Sequence, residues 1–126
     1  MNVLLDTQAF LWWDWQFRNL SQAALLTCQN SANTLMLSIA SIWEMQIKVQ
    51  LGKLQVGSLE AKIDYHQQQG MILLSVLPKH IYTLDKLPFH HKDPFDRIII
   101  AQAHYEGLPI VTSDPYFPMY PIRVIW

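Results

Sequence analysis

Cysteine is almost absent: Cys28 stands alone among 126 residues. That excludes an intrachain disulfide and a cysteine-built zinc site, and it fits a reducing compartment such as the cytoplasm. Glycines number only four, and no repeat, low-complexity stretch or charge run interrupts the chain. With no linker visible, a length near the modal domain size argues for one domain over residues 1–126, able to bury about two-thirds of its unfolded surface. Charge of either sign is scarce, with 9 basic against 10 acidic residues and a formal net charge of -1. This is no strongly basic nucleic-acid-binding domain, so any nucleic-acid ligand would need metal ions to meet its phosphates. Long apolar runs are missing as well. The segment MNVLLDTQAFLWWDW is broken by Asp6 and Asp14 and lacks a basic start, so neither a signal peptide nor a membrane span is expected. Hydrophobic residues at 51% and charged residues at 15% exclude a disordered chain.

What is present alternates short β-type runs with helical patterns. Val3-Leu4-Leu5 reads as a strand, followed by a helix through Phe10 to Trp15. Ser21 is placed to cap a second helix reaching about Asn30. Leu35-Met36-Leu37 reads as another strand, and Ile39, Ile42, Trp43 and Ile47 mark one face of a helix that starts near Ser38 and stops at Gly52. Ser58 to Gln69 forms a further helical segment, ended by Gly70, before a strand-like Met71 to Val76 and a short helix near Pro78 to Leu84. Pro94 to Glu106 carries proline at its start and Gly107 at its end, as helices favour. Ile110-Val111-Thr112 and Ile122 to Ile125 supply the last strands. Strands alternating with helices imply an α/β fold with a parallel sheet covered on both faces.

Four acids recur at the ends of these strands. Asp6 follows the first strand, Glu44 lies early in the helix after the second, Asp96 sits in the first turn of the Pro94 helix, and Asp114 follows Thr112 by two positions. Ligands of open α/β sheets bind just outside the carboxyl ends of the strands. Carboxylates gathered there suit a hard divalent cation such as Mg²⁺ or Mn²⁺. Each acid also has a plain structural role open to it. Asp6 and Asp93 are good helix caps, Asp96 is favoured by the helix dipole, Asp114-Pro115 repeats the Asp93-Pro94 pattern, and Ser41-x-x-Glu44 matches a capping box. Singly they read as caps. Together, four acids at four strand ends read as a ligand set, and spacing alone leaves both open.

The segments LLDTQAFLWW, SIASIWEMQIKVQLGKL, HHKDPFDRIIIAQA and LPIVTSDPYF carry a resemblance to the successive motifs of PIN-domain ribonucleases, in the VapC-type toxins of type II toxin–antitoxin systems. It runs from Asp6 to the final RVIW. It implies a three-layer α/β/α sandwich around a mostly parallel sheet, and a metal-dependent endoribonuclease whose acidic positions fall on Asp6, Glu44, Asp96 and Asp114. Asp6 and Asp96 would hold the principal Mg²⁺ or Mn²⁺ ion. Glu44 and Asp114 would complete its shell, with Glu44 also open to a general-base role. A protein antitoxin, an RNA substrate and a homodimer or higher oligomer are the implied partners. Gln8 departs from the pattern, because this group often places His after the Asp-Thr pair.

Basic residues beside these motifs are the phosphate candidates: Arg97, His91 and Lys92 around the Pro94 helix, and Lys48 one turn after Glu44. Lys48 is equally placed for an i,i+4 pair with Glu44. Thr7, Thr112 and Asp93 are candidates for contacts behind the acids, with capping the first reading for Asp93. The cluster Phe10, Trp12, Trp13, Trp15 and Phe17 has too many rings for one buried stripe, so part of it is expected to meet another protein chain. Two other readings compete with the nuclease. A PIN fold without catalysis, acting only as a protein-binding module, would be expected to lose at least one acid. A phosphoacceptor domain wants an acidic pair by the first strand, where Asp6 stands alone.

Overall fold

The computed structural model describes residues 1–126. Five strands form one sheet: β1 (Asn2–Leu5), β2 (Thr34–Ser38), β3 (Ile72–Leu74), β4 (Ile110–Val111) and β5 (Val124–Ile125), in the order β3-β2-β1-β4-β5. Every neighbouring pair is parallel, so the expected mostly parallel sheet is parallel throughout. Six α-helices surround it: α1 (Thr7–Trp15), α2 (Gln22–Gln29), α3 (Ile39–Gln50), α4 (Leu59–Gln68), α5 (Pro78–Thr83) and α6 (Pro94–Glu106).

Alternation along β1 divides the core in two, because successive strand side chains point to opposite faces. Val3 and Leu5 join Phe10, Ala24, Met45 and Ile63 in one buried cluster, beneath α1, α2 and α4. Leu4 joins Ile99, Ile100, Ile110 and Phe117 in the other, beneath α6. α3 contributes Met45 to the first cluster and Ala40 to the second, closing the end of the sandwich. The α1 and α4 layer is further tied by Asp14, which breaks the apolar N-terminal run in order to accept from Lys62 and pair with His66 Nε2.

Helix limits follow the sequence signals closely. Ser21 and Ser58 cap α2 and α4, and α6 begins at Pro94 and ends with Gly107 in the left-handed region at φ 66. Three expectations need correction. The α3 cap is Ser38, whose hydroxyl accepts from Ala40 N, so Ser41-x-x-Glu44 lies inside the helix and is not a capping box. Met71 lies beyond the end of α4, its N–H donating back to the His66 carbonyl, and Ser75 gives its carbonyl to Gln102; β3 keeps only Ile72–Leu74 between them. Asp114-Pro115 opens no helix like that at Asp93-Pro94: Asp114 Oδ1 accepts from Tyr116 N in a tight turn, and only a single 3₁₀ turn follows at Phe117–Met119.

From β1 the chain builds outward through β2 to β3, then crosses back to place β4 and β5 on the other side of β1. The reversal falls between β1 and β4, and open α/β sheets place their ligand crevice at such a switch point.

Candidate active site

Each of the four acids reaches the switch point from a different element. Asp6 is the first residue beyond β1 and the N-cap of α1, accepting from Ala9 N at 2.6 Å through Oδ1. Its other oxygen, Oδ2, accepts from the Thr112 hydroxyl just beyond β4. Thr112 Oγ1 in turn accepts from Asp114 N at 3.0 Å, so one hydroxyl fixes two acidic residues. The capping role expected of Asp6 is real, and it uses only one of the two oxygens.

Glu44 is brought in from α3 and held from both sides. Thr7 Oγ1 lies 2.6 Å from Glu44 Oε1 and 3.0 Å from Ser41 Oγ, and Lys48 Nζ lies 3.1 Å from Glu44 Oε2. Asp96 stands in the first turn of α6, where Asp93 caps the helix by accepting from Asp96 N at 3.0 Å. Asp6, Glu44, Asp96 and Asp114 line one pocket of about 260 Å³, with Thr7, Gln8 and Lys48 on its walls.

The electrostatics record the crowding. Burial pushes the Asp6 carboxyl up to about 6, against the pull of its Thr112 and Ala9 hydrogen bonds, and the charges of Asp114 and Glu44 add to the rise. Burial also lifts Asp96, to about 7, with Asp93, Asp114, Glu44 and Asp6 all pushing the same way. For both carboxyls, burial and neighbouring like charge outweigh the contacts that favour the ionised form. No three acid, imidazole or thiol groups close into a finished ligand cage. An open set of carboxylates with space for water fits Mg²⁺ or Mn²⁺, since Mg²⁺ keeps several of its waters and takes only one or two carboxylates.

The basic candidates separate. Lys48 lines the pocket. His91 stands beside it, Nε2 3.3 Å from Asp96 Oδ2. Lys92 is exposed on the loop before α6 and lines no part of the pocket. Arg97 is a correction: it is buried, donating to the Pro88 carbonyl and the Tyr120 hydroxyl with its guanidinium over Phe89, and cannot meet a phosphate there. A helix turns about 100° per residue, so Asp96 and Arg97 leave α6 in different directions. Thr7 and Thr112 both contact the acids, whereas Asp93 acts as the cap. Sequence reasoning missed Ser41 as a site residue, although its three-residue spacing from Glu44 places the two on one helix face. It also missed Tyr120, for which the sequence gives no sign beyond its place in an aromatic loop.

Over residues 3–122 the chain matches the PIN domain family, and it belongs to that family. Its fold is similar to a VapBC2 complex from Rickettsia felis bound to a DNA fragment from its promoter, at a TM-score of 0.72 and 18% identity, covering 98% of this chain and 97% of that one. DNA-bound VapBC from Salmonella typhimurium gives 0.63 at 16% identity, covering 98% and 96%. FitAcB from Neisseria gonorrhoeae gives 0.59 at 17% identity, covering 97% and 95%. No curated protein matches the chain.

Proposed function

We propose that this chain is a Mg²⁺- or Mn²⁺-dependent endoribonuclease and the toxin half of a toxin–antitoxin pair. The observation that carries the reading is the meeting of Asp6, Glu44, Asp96 and Asp114 in one pocket at the switch point of a PIN fold. The presence of all four acids together favours catalysis over a purely protein-binding role. The similar folds are those of toxin–antitoxin complexes, which supports a protein antitoxin as partner. Trp15, 82% exposed, and half-exposed Phe17 support a protein contact at the end of α1, with an antitoxin or a second copy of the chain.

Asp6 and Asp96 would hold the ion, with Glu44 and Asp114 completing its surroundings. When bound, such an ion lowers the pKa of water and offsets charge on the phosphoryl oxygens. Glu44, fixed by Thr7 and Lys48, orients the attacking water. Lys48 also places positive charge at the pocket wall, where the RNA backbone would lie. Thr112 holds the Asp6 carboxylate and the Asp114 backbone, and Tyr116 N holds Asp114 Oδ1.

The test is incubation of the purified protein with cellular RNA in Mg²⁺, in Mn²⁺ and in EDTA. Cleavage confined to the metal-containing reactions is the expected result. Undamaged RNA in all three, with no metal-dependent change in melting temperature, would overturn the proposal.

A further inference from the structure

Arg97 poses a question that the acidic pocket does not answer. A buried guanidinium with no carboxylate partner is costly, and here it is spent on the Tyr120 hydroxyl at 3.1 Å and the Pro88 carbonyl at 2.8 Å. The same hydroxyl receives the backbone N–H of His90 at 3.1 Å and of His91 at 3.3 Å. Three donors thus share the two lone pairs of one oxygen. The fourth neighbour of that oxygen is the nearest, His91 Nδ1 at 2.8 Å. With its lone pairs taken, the hydroxyl must give its own proton to Nδ1, which therefore acts as the acceptor. The ring proton then sits on Nε2, and Nε2 faces Asp96 Oδ2 at 3.3 Å. The ring plane is fixed as well, because His91 stacks on Tyr116 at 4.9 Å and 10°, and Tyr116 N is bound by Asp114.

We propose that His91 is the positioning residue of the Asp96 carboxylate, with its tautomer and orientation set by Tyr120 and Arg97. The hydrogen-bond count admits one direction along the chain: Arg97 donates to Tyr120, Tyr120 to His91, and His91 to Asp96. One oxygen of Asp96 is thereby engaged from behind, leaving the other for the pocket. This inference rests on the reading of the pocket as a metal site. It reassigns His91 from contact with RNA to support of a ligand, and it gives the buried arginine a purpose. Partners of this kind orient metal ligands, and their loss costs about 10–100-fold in metal affinity.

Titration calorimetry with Mn²⁺, without RNA, is the test. His91→Leu should weaken binding by about 10–100-fold, whereas His91→Gln, whose amide can accept from Tyr120 and donate to Asp96, should recover most of it. Tyr120→Phe keeps the ring and removes only the hydroxyl, and should also weaken binding; it serves if His91→Leu does not fold. A purely structural His91 would lower the melting temperature without metal and leave Mn²⁺ affinity alone. Binding by a folded His91→Leu or Tyr120→Phe variant as tight as that of the unaltered protein would overturn the inference by itself. No Mn²⁺ binding by the unaltered protein would overturn the metal-site reading, and this inference with it.

Discussion

The Thr7 hydroxyl stands 2.6 Å from Glu44 Oε1 and 3.0 Å from Ser41 Oγ, joining the start of α1 to one face of α3. Having a single proton, it gives that proton to the carboxylate and accepts from Ser41. All three residues are buried, so water cannot easily replace the contact. Thr7→Val keeps the shape and removes the donor. The expected result is a loss of about 1–3 kcal/mol in urea unfolding, together with reduced RNA cleavage, because Glu44 is left with Lys48 alone. Unchanged stability would mean that Glu44 turns to solvent without penalty.

Asp6 and Asp96 give the metal-free protein an unusual pH dependence. Their carboxyls ionise at about 6 and about 7 in the fold, above the ordinary value near 4 of an unfolded chain. The folded state therefore binds protons more tightly. The stabilisation is complete below about pH 4 and is lost as pH rises through 6 and 7. In EDTA, melting temperature should fall between about pH 5 and 7.5, and Asp96→Asn should flatten the decline. Glu106, drawn below its usual range by its His80 hydrogen bond, has the opposite sign, but its contribution is lost only under more acidic conditions. Saturating Mg²⁺ should remove most of the slope, since a bound cation favours the ionised carboxylates.

How far the sequence reveals this site depends on the range of the signal. Ser21, Ser58, Asp93, Pro94 and Gly107 act within a few residues of themselves, and the ends of α2, α4 and α6 follow from them. The acids are legible for a related reason: Asp6 and Asp114 follow strand ends, Glu44 and Asp96 stand in the early turns of α3 and α6, and a parallel sheet gathers strand ends and helix starts on one side. Arg97 is misleading because adjacency to Asp96 in sequence is not adjacency on a helix. The role of Tyr120 depends on a loop folding back over 29 residues to His91, and nothing local announces it. The Ser41 and Glu44 spacing was visible, but the hydroxyl that joins them comes from Thr7, 34 residues from Ser41.

Arg97 and Lys48 should behave oppositely when altered. Arg97→Lys loses the forked geometry that serves Pro88 and Tyr120, and should destabilise the fold by about 1–3 kcal/mol. Lys48→Gln removes a half-exposed charge at the pocket wall and should change stability by about 0.5 kcal/mol or less. Its effect should appear as weaker RNA binding that is less sensitive to salt, measured by KM at two ionic strengths. A stable Arg97→Lys protein with weakened RNA binding would return Arg97 to the role of phosphate contact.

Two tryptophans of the aromatic segment also separate. Trp12 packs against Trp126 at 5.8 Å, whereas Trp15 is 82% exposed. Trp12→Ser should therefore lower the melting temperature of the isolated chain. Trp15→Ser should leave stability within about 0.5 kcal/mol and shift sedimentation toward the monomer, or weaken antitoxin binding. If Trp15→Ser leaves both association and antitoxin affinity unaltered, the end of α1 is not a protein contact.

The acids themselves distinguish a ligand set from a row of caps. Asp6→Asn keeps an oxygen for Ala9 N, and Thr112 can reverse its hydroxyl to accept from the new amide. Glu44→Gln keeps an oxygen for Thr7, and Asp96→Asn retains the cap from Asp93. If these residues only cap and link elements, each change should cost little beyond a dipole contribution of about 0.3–1 kcal/mol. The metal-site reading expects cleavage to fall by at least about 100-fold, since several kcal/mol of charge stabilisation depend on the set. It also expects metal-free stability to hold or rise for Asp6→Asn and Asp96→Asn, because burial and like charge both disfavour the ionised groups that are removed. The gain in melting temperature on adding Mg²⁺ should shrink in step. Asp93→Asn is the control: it preserves the cap, lies outside the pocket lining and should retain most activity. Full cleavage by the other three variants, with an unaltered response to Mg²⁺, would show that these carboxylates serve the helices alone.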